Sequence, residues 1–316
     1  QATEIVFTSC GTEGDNWVLS AAVNDLNVTR IITTKIEHHA VLHTLEILKL
    51  KNPELEIVYL DLNQNGNINH NQLQNLLEAS DKKTLVSLMH VNNEIGTVLN
   101  LKKVGELCAY NNAYFHSDTV QSVGKEIIDV QSFNIDFLVA SAHKFHGPKG
   151  VGFIYLKKNT IIQPLIHGGE QEKGLRAGTE AVHQIVAMAK ALEIAYQNLE
   201  NYKNQISELK NYAITSLKTA FPDLKINGGE QAFYNILNIV LPVSADKTAM
   251  ILFYLDMQGI AVSRGSACQS GSIKPSHVLA EILSPTDLLL PSLRISFSHF
   301  NTKSEIDYLI KTLKNM

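Results

Sequence analysis

The sequence predicts an α/β fold: a mainly parallel sheet with helices on both faces, followed by a smaller α+β domain. Two observations carry this. From Ile5 to Leu156, short apolar runs of strand length alternate with stretches of helical periodicity, the pattern of βα units in one sheet. From Phe221-Pro222 onward that alternation gives way to a few strands with helices between them and at the end. The boundary is placed between a large domain, 1–198, and a small one, 199–316.

The strands follow in order. Ile5-Val6-Phe7 opens the chain, and Thr12, followed three residues later by Asp15, reads as a capping box for the helix that contains Trp17 and Leu19. Arg30 to Thr34 is the next strand, with a helix from Ala40 to Leu50 after it. Glu56 to Leu60 is a strand, the Asn/Gly run at 63–67 a turn, and His70 to Ala79 a helix. Thr84 to Met89 is a buried strand, Leu101 to Asn111 a helix with Cys108 on its apolar face, and Tyr114 to Asp118 a strand ending in an acid. Phe137 to Ala140 and Val151 to Leu156 are strands separated by a Gly/Pro-rich connection. The glycine-rich run 167–179 is a loop, followed by helices from Ala181 into the 190s and from Leu199 to Thr219. In the small domain Asn235 to Val240, Ile260 to Val262 and Leu293 to Phe297 read as strands, and Ser304 to Leu313 as a helix.

Composition narrows the function. The 316 residues are 45% hydrophobic and 18% charged, which suits a globular chain with a sizeable core. A net charge of −4 leaves no basic footprint, so nucleic acid is not a direct ligand. No apolar run approaches the ~20 residues of a membrane span. Cys10, Cys108 and Cys268 are odd in number and form no CxxC pair, which argues against a disulfide framework or a zinc site and suits a reducing, cytoplasmic setting. No metal site is expected. The chain starts at Gln1 and enters a strand almost at once, which reads as a missing N-terminus.

The chemistry is placed at Ser141-Ala142-His143-Lys144, past the end of a buried strand. A lysine there can lose water and act as an amine nucleophile toward a carbonyl group; the alternative is a solvated loop lysine. Asp118 ends an earlier strand, where open α/β sheets bind ligands. An amine and an acid in those positions are the protein side of a pyridoxal phosphate site, the acid keeping the ring nitrogen protonated. Gly11 and the Thr12 hydroxyl at a helix start suit a phosphate, or an ordinary N-cap. His38, at a strand end, is a candidate to lie against a flat ring. In Ser263-Arg264-Gly265-Ser266-Ala267-Cys268 a cysteine sits in a small, polar loop near an arginine, a setting for a reactive thiolate or for an inert surface thiol.

These residues, with Met89-His90-Val91-Asn92-Asn93-Glu94-Ile95-Gly96, Gln121-Ser122-Val123-Gly124-Lys125, His143-Lys144 before Gly147-Pro148-Lys149-Gly150, Arg176 with Gly178-Thr179, and Gly265-Ser266-Ala267-Cys268, resemble the group I cysteine desulfurases of the NifS/IscS type, within the class V aminotransferases. The resemblance runs from Glu4 to about Tyr308. It implies the fold type I architecture of pyridoxal phosphate enzymes, with a seven-stranded sheet, and conversion of L-cysteine to L-alanine with a persulfide left on Cys268. Lys144 is implied to hold the cofactor and move protons, Asp118 to pair with the ring nitrogen, Gln121 to bond the ring hydroxyl, and His38, as a catalytic residue, to stack on the ring and help with protons. Thr12, Ser141 and His143 are implied for the phosphate, with Thr179 reaching in from the other subunit of a homodimer. Asn93, beside the cofactor, and Arg294 are implied to hold the substrate carboxylate. The implied sulfur acceptor is an iron–sulfur scaffold or a tRNA-thiolation relay protein. Cys10-Gly11-Thr12-Glu13-Gly14 departs from the usual Gly-Ala-Thr-Glu-Ser/Thr, and Ser298-His299 from the usual Gly-Arg. The family's upstream segment, with its Asp-Asn-Ala-Ala-Thr-type turn, is not in the sequence, so an inactive fragment is one alternative. An aminotransferase or a selenocysteine lyase of the same fold is another.

Overall fold

The computed structural model describes residues 1–229, 231–265 and 276–316. They form two compact units. One comprises Gln1–Asp61, Ile68–Val91 and Leu99–Leu199; the other comprises Leu62–Asn67, Asn92–Val98 and Glu200–Met316.

The first unit is built on a seven-stranded sheet. Its strands are β1 (Ile5–Thr8), β2 (Arg30–Thr33), β3 (Glu56–Tyr59), β4 (Thr84–Ser87), β5 (Tyr114–Asp118), β6 (Phe137–Ser141) and β7 (Gly152–Leu156), in the order β1-β7-β6-β5-β4-β2-β3. The five strands from β6 to β3 are parallel; β7 runs antiparallel to both β6 and β1. Helices α1 (Gly11–Asn24) and α2 (His39–Lys51) supply the core on one face; α3 (His70–Glu78), α4 (Leu101–Tyr110) and α5 (Val182–Gln197) supply the other.

The strands are apolar on both sides because both sides are covered. Along β6, Phe137 and Val139 pack into the cluster with Trp17, Val18 and Leu45, whereas Leu138 and Ala140 pack into the cluster with Leu73, Val104 and Cys108. The same two-residue alternation splits Ile31 from Ile32 and Leu85 from Val86. Cys108 is therefore a core residue, and burial pushes its thiol far up.

The second unit holds a three-stranded antiparallel sheet, β10-β9-β8, made of β8 (Lys225–Asn227), β9 (Ile236–Val240) and β10 (Ser292–Ser296). Helices α6 (Leu199–Ala220), α7 (Ile251–Met257), α8 (His277–Ile282) and α9 (Lys303–Lys314) accompany it. Leu209, Leu217, Ile239, Leu293 and Ile310 close its core. Helix α9 starts at a capping box in which Thr302 accepts from the Glu305 N–H and Glu305 accepts from the Thr302 N–H.

Two local readings of the sequence are corrected. Helix α1 begins at Gly11, so Cys10 is its N-cap and Thr12 lies in its first turn. The cap-like reach-back is made by Glu13, which accepts the Ser9 N–H at 2.8 Å. Ile260 to Val262 form no strand; the chain makes a single bridge just beyond, Ser263 to Arg294.

Candidate active site

In the first unit the site residues gather where the parallel strands end. Asp118 is the last residue of β5, and Lys144 lies in a 3₁₀ turn, Ala142–Phe145, directly after β6, the strand paired to β5. Asp118 is buried, and burial lifts its carboxyl to about 6, against the opposing pull of the Val120 N–H at 2.9 Å and the Lys144 ammonium. Lys144 acts in the same way on its other neighbours. It adds to burial in lowering the His143 imidazole, and burial together with Lys144 brings Lys125 down to about 7. Lys125 donates to the Gln121 carbonyl at 3.0 Å, which ties the turn after β5 into this charged group.

Helix α1 points its start at the same place. A Cβ on Gly11 would stand 2.7 Å from Val120 Cγ2 and 3.8 Å from Ser141 Cβ, so only a glycine lets the helix begin this close to the ends of β5 and β6. No side chain caps α1, and Thr12 is exposed in its first turn. Its N-terminal dipole is thus available to an anion. His38 is the N-cap of α2. Its Nδ1 accepts the Ala40 N–H at 3.1 Å, leaving the ring proton of the neutral imidazole on Nε2. Asn16 joins the two helix starts, donating to the Thr12 carbonyl at 2.8 Å and the Ala40 carbonyl at 3.4 Å. Arg176 grips Glu13 with two bonds, Nε at 2.9 Å and Nη2 at 3.2 Å, and so fastens the stretch containing exposed Thr179 to the start of α1.

Asn93 and Arg294 belong to the second unit. There Arg294 Nη1 donates to the Asn93 carbonyl at 2.9 Å, so the two meet directly. Cys268 lies outside the described residues.

Sequence reading missed a buried layer beneath Asp118. His116, two residues earlier on β5 and therefore on the same face of the strand, is fully buried. Its Nδ1 is 2.9 Å from Ser87 Oγ, and its Nε2 is 3.4 Å from Asp15 Oδ1. Burial drives His116 down to about 3, so the ring is neutral. Asp15 is held well above the ordinary carboxylate range, first by burial and then by the neighbouring acidic groups of Asp118, Glu37 and Cys10. Glu37 is raised to about 8 by burial, though its carboxylate accepts the Met89 N–H and the Thr34 hydroxyl. The i, i+2 spacing of His116 and Asp118 was the available signal.

The residues present fit a pyridoxal phosphate group. They combine an acid for a ring nitrogen, an amine for an aldehyde, an uncapped helix start for a phosphate, and glycine where a Cβ would fill the approach. Among the described residues no cluster of three or more His, Cys, Asp or Glu could hold a metal ion. None of the described helices is long and apolar enough to cross a membrane.

An α/β sheet with a lysine and an aspartate at the ends of neighbouring parallel strands defines a class, and the comparisons agree with it. The aminotransferase class-V family matches residues 1–309. Cysteine desulfurase IscS of Clostridium botulinum (strain Kyoto / Type A2) is 43% identical over 316 residues, covering 99% of this chain and 79% of that protein. Putative cysteine desulfurase IscS 1 of Bacillus subtilis (strain 168) is 43% identical over 309 residues, covering 96% of this chain and 79% of the relative. A solved NifS-like protein superposes with a TM-score of 0.88 at 33% identity, over 100% of this chain and 82% of that one. The chain belongs to the class-V aminotransferases, a pyridoxal phosphate-dependent family, and within them to the IscS/NifS cysteine desulfurases.

Proposed function

We propose that the chain is a pyridoxal phosphate-dependent cysteine desulfurase that converts L-cysteine to L-alanine and collects the sulfur as a persulfide on Cys268. The observation that carries the reading is the placement of Asp118 and Lys144 at the ends of paired strands β5 and β6, beside the start of α1. When bound, the cofactor supplies an electron sink for the substrate's α carbon.

The chain's own residues do the rest. Asp118 holds the ring nitrogen in its protonated form. The α1 start with Gly11 and Thr12, together with Ser141 and His143, holds the phosphate, and Thr179 is contributed across a homodimer. Gln121 would hold the ring hydroxyl, and His38 would stack on the ring and help with protons. Lys144 takes the proton from the α carbon and returns one to the product side, a role suited to an amine held among other cations. Asn93 and Arg294 are the residues this reading assigns to the cofactor's and the substrate's polar groups, Arg294 offering a two-pronged donor for the substrate carboxylate. Cys268, as a thiolate, attacks the substrate sulfur; the carbon–sulfur bond breaks with its electron pair passing to the β carbon, which takes up a proton to become the methyl group of alanine, and the sulfur stays on Cys268 as the persulfide. A transaminase or selenocysteine lyase is disfavoured by the Gly-Ser-Ala-Cys context and by the named relatives. The onward acceptor in this reading is an iron–sulfur scaffold or sulfur-relay protein, and the setting is cytoplasmic.

The test mixes the chain with pyridoxal phosphate, L-cysteine and a thiol reductant, and quantifies sulfide and alanine beside Cys268→Ser. Equal amounts of the two products, lost in the variant while the cofactor's visible absorption stays, are expected. Normal sulfide release by Cys268→Ser would remove the sulfur-carrier role, and a yellow protein that makes neither product would remove the activity.

A further inference from the structure

We propose that Glu94 is a positioning residue whose carboxylate fastens together the two roots of the segment that carries Cys268; this rests on the desulfurase reading above. Glu94 is fully buried in the second unit. Ser276, just after residues 266–275, donates its hydroxyl to Glu94 Oε2 at 2.5 Å. Gly265, just before them, comes so near that a Cβ there would stand 3.2 Å from the same Oε2 and 3.3 Å from Ser276 Cβ. Ser276 is therefore bonded to this oxygen, and the Gly265 backbone packs beside it without a bond.

Glu94 is itself held from behind. Its N–H donates to Asn92 Oδ1 at 2.9 Å, and its carbonyl accepts Asn238 Nδ2 at 3.0 Å. Asn238 is fully buried on β9 and is fixed in turn by Asn227 at 2.8 Å. On the Ser276 side, the same hydroxyl accepts the Val278 and Leu279 N–H groups and so also starts α8. On the Gly265 side, Ser263 and Arg294 exchange both backbone hydrogen bonds, at 3.2 and 2.6 Å, and Arg294 reaches the Asn93 carbonyl. Ser276 is thus bonded to Glu94, while the chain just before Gly265 is bonded through Ser263 to Arg294, which bonds the carbonyl of Asn93, the chain neighbour of Glu94. Cys268 is three residues along the sequence from Gly265. Fixing the root relative to Arg294 fixes the zone from which the thiol can approach a substrate held by that arginine.

The test uses the full chain. Glu94→Ala and Ser276→Asp both break the carboxylate–hydroxyl link. Ser276→Asp keeps an acceptor for the α8 cap, so it separates loss of the anchor from loss of the helix start. Ser276→Asn restores both a donor toward Glu94 and a cap acceptor. Three quantities are read: the rate at which iodoacetamide modifies Cys268, followed by peptide mass without substrate; kcat and KM for alanine formation; and the visible absorption of bound pyridoxal phosphate. In the two breaking variants the modification rate changes by about threefold or more. Their kcat falls by about tenfold or more, the scale of a misplaced reacting group. Cofactor absorption is kept, and Ser276→Asn behaves like the parent. Parent-like modification and kcat in both breaking variants would overturn the proposal. So would equal losses in Ser276→Asn, or loss of the cofactor absorption, which would mark a general defect in folding. A parent chain that makes no alanine overturns the desulfurase reading instead, and the modification rates still decide the anchor.

Discussion

Gly14→Ala sets two effects of known size against each other. Alanine in place of glycine in a helix interior is favourable by about 1 kcal/mol, and burying the added methyl contributes about 0.8 kcal/mol more. Against this, the new Cβ would stand 2.8 Å from Val139 Cγ1 and 2.9 Å from Ile154 Cγ2. Carbon atoms need about 3.5 Å, so α1 must lift by about 0.7 Å. Neither neighbour can yield: both are fully buried, β-branched and stiff about χ1, and they sit on paired strands β6 and β7. Overpacking costs about 1–3 kcal/mol, and the lift also forfeits about a quarter of the dispersion contacts along the helix. With neighbours this rigid the cost lies at the upper end of that range, so against gains of about 1.8 kcal/mol the expected outcome is a net loss of about 1 kcal/mol. The reporter is built in, since Trp17, the single tryptophan, is buried one turn further along the same helix and bonded to the Gln163 carbonyl. Urea unfolding followed by its fluorescence should give a lower midpoint, with weaker retention of pyridoxal phosphate because the helix start moves with the helix. A midpoint at or above that of the parent would refute the claim that rigid packing overrides helix propensity here.

Three further outcomes are expected. Lys144→Ala removes the visible absorption of bound pyridoxal phosphate, and a full absorption band in that variant would remove Lys144 from its role. Glu37→Gln flattens the pH dependence of stability. The carboxyl is raised from 4.5 to about 8 in the fold, so its contribution is complete below about pH 4.5 and is lost as pH rises through about 8. At about 1.4 kcal/mol per pKa unit the full loss is about 5 kcal/mol, so urea midpoints of the cofactor-free parent should fall from pH 5 to pH 8 more steeply than those of the variant. Parallel profiles would contradict this. Thr302→Ala breaks the α9 capping box and costs about 1 kcal/mol with cofactor retention unchanged; an unaltered unfolding midpoint would count against it.

The strands that position the chemistry were legible because each is a short apolar run ending in polar residues. Asp118 and the turn after Phe137–Ser141 stand out for that reason. What local reading missed depends on distant partners. Asp15 looks like a capping residue from its neighbours in sequence, but folding buries it against His116, about a hundred positions away. β8 has three residues, only one of them buried, and so carries no periodicity to detect. Ile260 to Val262 have the composition of a strand, yet the pairing there is one bridge at Ser263. Glu94 could be quoted as part of a motif, but nothing in the sequence says that Gly265 and Ser276 meet on it.

The membership of Leu62–Asn67 and Asn92–Val98 in the second unit bears on the order of synthesis. These two pieces emerge from the ribosome long before Glu200–Met316, the rest of the body they complete. The late-made part waits for them: the Phe233 N–H bonds to the Gly96 carbonyl at 2.7 Å, and Gly228 lies so close to the Ile95 carbonyl that a Cβ there would collide with it. Closing a stretch of roughly a hundred residues costs about 4 kcal/mol of chain entropy, nearly independent of its exact length. A gene cut at 199/200 would therefore yield a C-terminal piece with open bonding positions rather than a freestanding domain. The second unit becomes whole only when residues 200–316 have been made and have met segments made about a hundred residues earlier.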